Sequence, residues 1–287
     1  MPLLLFVALL LAAALLFLLW GEKRLYRPDA RYPRAEAATS GKTRLVCAGD
    51  SITHGNVSAS YVELLAQNHP DWQVFNAGIN SDLAETLLRR LGDVVSVNPD
   101  LVTVLIGTND VNATMSRASL LSYRRHGKTA GTPDADQYRR NLTTIVRRLK
   151  AETSARIALL SLPPMGEDLT HEANRRADAY SDVIREIADA EGVAYLPLRE
   201  RMKADLEANP SKPRIRFEET VSTVFVAAVL RHVFGWDFDR IAARYGNRLL
   251  TDNLHLNSRG AALVAEVVEA EFLKKKRNEK QEMKSEK

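Results

Sequence analysis

Five short apolar runs, Leu45–Ala48, Trp72–Phe75, Leu101–Ile106, Ile157–Leu162 and Val193–Leu198, recur along the chain with helix-patterned stretches between them. This alternation constrains the fold more than any other feature. Such a run reads as a strand buried on both faces, and a helix between two of them makes the strands parallel, joined by a right-handed crossover. The helices are expected at Tyr61–Gln67, Leu83–Leu91, Gln137–Ala151 and Glu172–Ala190. A last one, over Arg259–Lys275, follows Asn257-Ser258, which can cap it. The class is α/β, and most of the 287 residues suit one medium-sized domain. Two stretches, Val111–Asp136 and Asn209–Leu250, break the alternation. Within the second, the apolar Val221–Phe234 is expected to pack into the core, a lid or a membrane-touching helix being the alternatives.

The ends of the chain differ from the middle. Leu3–Trp20 has no charge, Gly or Pro, and at ~1.5 Å rise per residue it nearly crosses a hydrocarbon layer. No Lys or Arg precedes it and no small-x-small site follows directly, so an uncleaved anchor is expected over a cleaved signal or a buried helix. Trp20 and the cluster Lys23, Arg24 and Arg27 mark the interface, and their position favours a single-pass membrane protein with its folded domain on the cytoplasmic side, the exported side being the alternative. The expected organisation is an anchor over 1–20, a juxtamembrane linker over 21–42, a folded domain over 43–273 and a basic disordered tail over 274–287. That tail holds seven Lys or Arg against three Glu, which accounts for the whole formal net charge of +4. The body is close to neutral, and no nucleic-acid partner is expected. The single Cys, Cys47, rules out an internal disulfide and sits inside the first strand as a small hydrophobe.

The chemistry is concentrated at strand ends. The first strand runs into Gly49-Asp50-Ser51, the second into Asn76-Ala77-Gly78-Ile79-Asn80-Ser81-Asp82, and the third into Gly107-Thr108-Asn109-Asp110. Ligands of open α/β sheets bind at the carboxyl ends of the strands where strand order reverses, so the three loops converge if the first strand lies between the other two. A Ser hydroxyl is a poor nucleophile without a base, and a base works better when a carboxylate orients it. Asp252 and His255, three residues apart on a late loop, fit those two roles beside Ser51. Attack on an ester creates an oxyanion that needs preplaced donors, which the Asn109 amide and backbone N–H groups can supply. The six His residues are scattered and no His-Glu-x-x-His or Gly-x-Ser-x-Gly occurs, which argues against a zinc site and an α/β-hydrolase elbow.

In these blocks the chain resembles the SGNH or GDSL hydrolases, including their lysophospholipase- and thioesterase-like members. Gly49-Asp50-Ser51 is similar to the nucleophile block, Gly107-Thr108-Asn109-Asp110 to the Asn block, and Asp252-x-x-His255 to the final block, the likeness covering most of Thr43 to Val268. The resemblance implies a flavodoxin-like three-layer α/β/α sandwich, no metal or other cofactor, and hydrolysis through an acyl-enzyme on Ser51. It places the oxyanion donors at Ser51, Asn109 and the residue that is usually Gly in the second block. Ser81 stands there in this chain, with Gly78 as the alternative donor. If that position needs a positive φ, Ser carries a steric cost that Gly avoids. The expected substrate is a small-molecule or lipid carboxylic ester, thioesters included. A carbohydrate O-acetylesterase or acyltransferase, and a non-catalytic membrane-tethered binding module, are the alternatives.

Overall fold

The computed structural model of the protein describes residues 21, 25–34, 36 and 41–285. Five parallel strands, β1 (Thr43–Gly49), β2 (Trp72–Gly78), β3 (Leu101–Leu105), β4 (Arg156–Leu160) and β5 (Ala194–Leu196), form one sheet in the order β2-β1-β3-β4-β5. The register pairs Gly49 of β1 with Gly78 of β2 and Leu105 of β3, so the three strands end level. The order reverses at β1, which puts Ser51, Ser81 and Asn109 at one edge.

Alternate strand residues feed two cores. Val46, Ala48, Phe75, Ala77, Val102, Val104 and Leu159 face one side, Leu45, Cys47, Val74, Leu101, Ala158 and Leu160 the other. The first face is covered by α3 (Ala84–Arg89), α4 (Leu91–Ser96), α7 (Ala135–Glu152) and α8 (Glu172–Glu191), whose buried residues include Leu87, Val94, Ile145 and Ile184. The second is covered by α2 (Tyr61–Asn68), α9 (Leu198–Ala208) and α12 (Ser258–Ser285), through Leu65, Met202 and Val264. Three layers result because both faces of a parallel sheet are apolar and each must be removed from water. Cys47 is fully buried, and that burial pushes its thiol up to about 12. At the start of α12 the Asn257 side chain accepts from Gly260 N–H at 3.0 Å, the cap expected from the sequence.

Two expectations are corrected. The fold reading added a transmembrane helix, but among the described residues no helix is long and apolar enough to cross a membrane. The run 3–20 on which that expectation was placed lies outside the described residues. The second concerns the irregular stretches, which are helical. α5 (Thr108–Met115) and α6 (Arg117–Arg125) occupy the first, α10 (Thr220–His232) and α11 (Phe238–Tyr245) the second. Helix α10 packs into the core only in part: Val224 lies against the first core and Ala227 is buried with Ile241 and Tyr245 of α11, while Val221 and Phe225 are about half exposed. α1 (Ser51–His54) completes the set, a single turn directly after β1.

Candidate active site

The turn after β1 is shaped by close approach. A Cβ on Gly49 would stand 2.2 Å from Thr53 Oγ1 and 2.5 Å from the Leu105 carbonyl, and one on Gly78 would stand 2.2 Å from His54 N. Only glycine lets β1 and β2 come this near to α1. Asp50 caps the turn by accepting from Ile52 N–H at 2.9 Å, and Ser51 is its first helical residue. Burial raises the Asp50 carboxyl to about 7.

The Asp252–His255 loop comes from the opposite end of the chain and is clamped from below. The Glu167 carboxylate accepts from the backbone N–H groups of Arg248 at 2.8 Å, Leu249 at 2.6 Å and Leu250 at 2.9 Å. Ser58 Oγ accepts from Leu256 N–H at 3.0 Å, and a Leu250–Leu256 bridge closes the loop. Within it, Asp252 Oδ1 accepts from Leu254 and His255 N–H, and Oδ2 lies 2.9 Å from His255 Nδ1. A carboxylate only accepts, so Nδ1 carries the proton and Nε2 is left as the acceptor. Ser51 Oγ lies 2.9 Å from that Nε2. Burial works to lower the His255 pKa, but the charge and hydrogen bond of Asp252 outweigh it, and the net direction is upward. The structure thus brings Ser51, His255 and Asp252 into one hydrogen-bonded series across more than 200 residues of sequence.

The loops after β2 and β3 meet the same place. Ser81 is the third residue of a turn closed by Asp82 N–H to the Ile79 carbonyl at 3.2 Å, and its φ is 62°. The steric cost foreseen for a non-glycine residue is therefore present, on the order of 1 kcal/mol. Its hydroxyl meets Tyr26 Oη at 3.1 Å, and the neighbouring Asp82 carboxylate is held by Arg90 at 2.6 Å and Lys128 at 2.7 Å. Gly78 is placed differently. Its N–H donates to Asn76 Oδ1 at 3.0 Å, so it is occupied within its own strand end. The Asn109 amide donates from Nδ2 to the Asp82 carbonyl at 2.9 Å.

Ser51, Ser81, Asn109 and His255 line one cavity of about 210 Å³. One wall is apolar, from Val221, Val224 and Phe225 of α10 with Leu254. The other is polar, from Asn80, Asn112, Ser119 and Ser122. Leu25 and Tyr26 close one side, held by Asn56 and Asn80 side chains that donate to the Leu25 carbonyl at 2.8 Å each. Sequence reasoning missed Glu167, Tyr26 and Tyr123, the last lining the cavity and donating from its hydroxyl to Asn109 Oδ1 at 2.7 Å, because each makes its contacts across elements without a local motif. Among the described residues no group of His, Cys, Asp or Glu is arranged to hold a metal ion.

The geometry can be set beside known proteins. The model of the GDSL-like lipase/acylhydrolase family matches residues 47–263, and this chain belongs to that family. It is accordingly a serine carboxylic-ester hydrolase. No curated protein matches the sequence. Among solved structures, the acetyl xylan esterase AlAXEase superposes with a TM-score of 0.56 at 23% identity, over 79% of this chain and 98% of that one. An acetylxylan esterase from Geobacillus stearothermophilus superposes with a TM-score of 0.54 at 20% identity, over 81% and 96%. The hydrolase LAE5 from the metagenome of Lake Arreo, Spain, gives 0.55 at 20% identity, over 83% and 97%. At these identities the likeness is one of fold.

Proposed function

We propose that the protein cleaves carboxylic esters through an acyl-enzyme on Ser51. His255, neutral at Nε2, takes the Ser51 hydroxyl proton as Oγ attacks the carbonyl carbon, and Asp252 steadies the resulting imidazolium. The oxyanion is received by the N–H groups of Ser51 and Ser81 and by the second N–H of Asn109 Nδ2, the first being committed to Asp82. His255 then gives its proton to the leaving alkoxide. Water enters, loses a proton to His255 and attacks the acyl carbon; the bond from that carbon to Ser51 Oγ then breaks, His255 returns the proton to Oγ, and the acid leaves. The observation that carries this reading is the pair of 2.9 Å contacts from Ser51 to His255 and from His255 to Asp252.

The apolar wall from α10 suits a short acyl group, and the polar wall suits an alcohol bearing further hydroxyls. An O-acetylated carbohydrate is the second reading, supported by these polar lining residues and by the names of the acetylxylan esterases of like fold. The test is hydrolysis of p-nitrophenyl esters of increasing acyl length and of acetylated xylo-oligosaccharides by wild type and Ser51→Ala. Loss of about 10⁴-fold or more in kcat in a folded Ser51→Ala is expected. Wild-type turnover in that variant would remove Ser51 from the mechanism. Release of acetate from the oligosaccharide at a kcat/KM no better than from p-nitrophenyl acetate would remove the carbohydrate reading.

A further inference from the structure

An amide side chain that serves as an oxyanion donor has a weakness a backbone N–H lacks, since it can pivot about its χ2 and turn a repulsive oxygen toward the developing charge. Asn109 is held against this at both ends. Nδ2 donates to the Asp82 carbonyl at 2.9 Å, and because a carbonyl only accepts, this contact fixes which end of the amide is nitrogen. Oδ1 therefore faces the other way, where it accepts from the Tyr123 hydroxyl at 2.7 Å. That hydroxyl in turn accepts from Asn112 Nδ2 at 2.9 Å. The polarity of the whole series is set by one backbone carbonyl, and each member has only one consistent role.

The series is built for permanence. Asn109, Asn112 and Tyr123 are all buried, and burial drives the Tyr123 pKa upward, so its proton stays on oxygen as a donor. Tyr123 shares a buried cluster with Leu83 and Ala113, and Leu83 directly follows Asp82, whose carbonyl holds Asn109. Asn112 Oδ1 is buried without a hydrogen-bond partner. An orphaned acceptor is a standing cost, and turning the amide over would satisfy it only by taking the Tyr123 proton away from Asn109.

We propose that Tyr123, oriented by Asn112, is a positioning residue for the oxyanion site: its hydroxyl locks the Asn109 amide with the free N–H of Nδ2 toward the acyl oxygen. The proposal rests on the reading of Asn109 as an oxyanion donor. Since the lock acts on a group needed in the transition state, its removal lowers kcat and leaves KM nearly unchanged.

The test is steady-state hydrolysis of p-nitrophenyl acetate by the full chain as wild type, Tyr123→Phe, Asn112→Ala, Asn109→Ala and the double variant Asn109→Ala/Tyr123→Phe, each with its thermal melt. Asn109→Ala is expected to lose about 10²-fold in kcat, as for deletion of an oxyanion donor. Tyr123→Phe is expected to lose about tenfold in kcat with KM within about twofold, and nothing further once Asn109 is already Ala. Asn112→Ala gives a smaller loss of the same kind and carries the test if Tyr123→Phe does not fold. Full activity in Asn109→Ala would overturn the underlying reading and the proposal with it. A large loss in Asn109→Ala beside an unchanged kcat in folded Tyr123→Phe or Asn112→Ala would overturn the proposal alone, as would losses that multiply in the double variant.

Discussion

His255 joins two opposing influences, burial that disfavours its cation and the Asp252 carboxylate that favours it, and the second prevails. In the proposed mechanism His255 must be neutral to accept the Ser51 proton, so kcat/KM is expected to rise as pH passes upward through the His255 pKa, which lies above the ordinary 6.5. Asp252→Asn removes the charge that raises it. The ascending limb should move to lower pH while kcat falls by about 10⁴-fold, because the tautomer is no longer imposed. A pH–rate profile whose midpoint stays put or moves upward would show that Asp252 does not set the imidazole's charge. The motif Asp-x-x-His was legible as a pair in the sequence because both roles lie within one loop. Ser81 was legible too, as a departure from glycine with a conformational cost, and its φ of 62° realises that cost.

At the scale of elements, two connections matter most for the site. The loop that bears Asp252 and His255 is fastened at its base through Glu167, whose carboxylate serves three successive N–H groups. Glu167→Ala leaves those donors buried without partners, at a cost of about 3 kcal/mol or more in stability, with a loss of kcat from the displaced base. A denaturant midpoint unchanged from wild type would show that the loop is held by other means. Helix α10 forms the apolar wall, with Phe225 lining the cavity from a half-exposed position. Phe225→Ala should raise KM for butyrate and longer p-nitrophenyl esters more than for acetate, with the melt little changed. Equal effects on all chain lengths would place the acyl group elsewhere. The Glu167 clamp was not readable beforehand, and for α10 the sequence offered a lid or a membrane-touching helix only as alternatives to core packing. Glu167 lies in a loop with no recurring pattern, and the apolar residues of α10 look like core residues until their position at the rim is known.

For the molecule as a whole, the buried carboxyls beside the catalytic edge couple folding to pH. Asp110 accepts from Ala84 N–H at 3.1 Å, and burial raises it to about 7 from an ordinary 3.8. Between those values the folded state holds a proton that the unfolded chain has released. The stabilising contribution is therefore complete below about pH 4 and is lost as pH rises through 7. Asp110→Asn, neutral throughout and able to accept from Ala84, should lose less stability than wild type between pH 5 and pH 8. A melt series in which the two decline in parallel would show that Asp110 does not carry this dependence.

The sequence by itself determined the α/β class, the five strands and the three residues that form the hydrogen-bonded series Ser51, His255 and Asp252. The reason is local: buried strands, helix periodicity and a carboxylate three residues from an imidazole are all written in short stretches of chain. Tertiary structure alone decided that β1 lies between β2 and β3, that the Gly78 N–H is occupied by Asn76, and that α10 borders a cavity. It also decided that Tyr123 meets Asn109 and that Glu167 meets the last loop. These contacts join segments whose residue types are ordinary in isolation. Their effect comes from which donors and acceptors the packed layers bring within hydrogen-bond distance, and no local pattern encodes that.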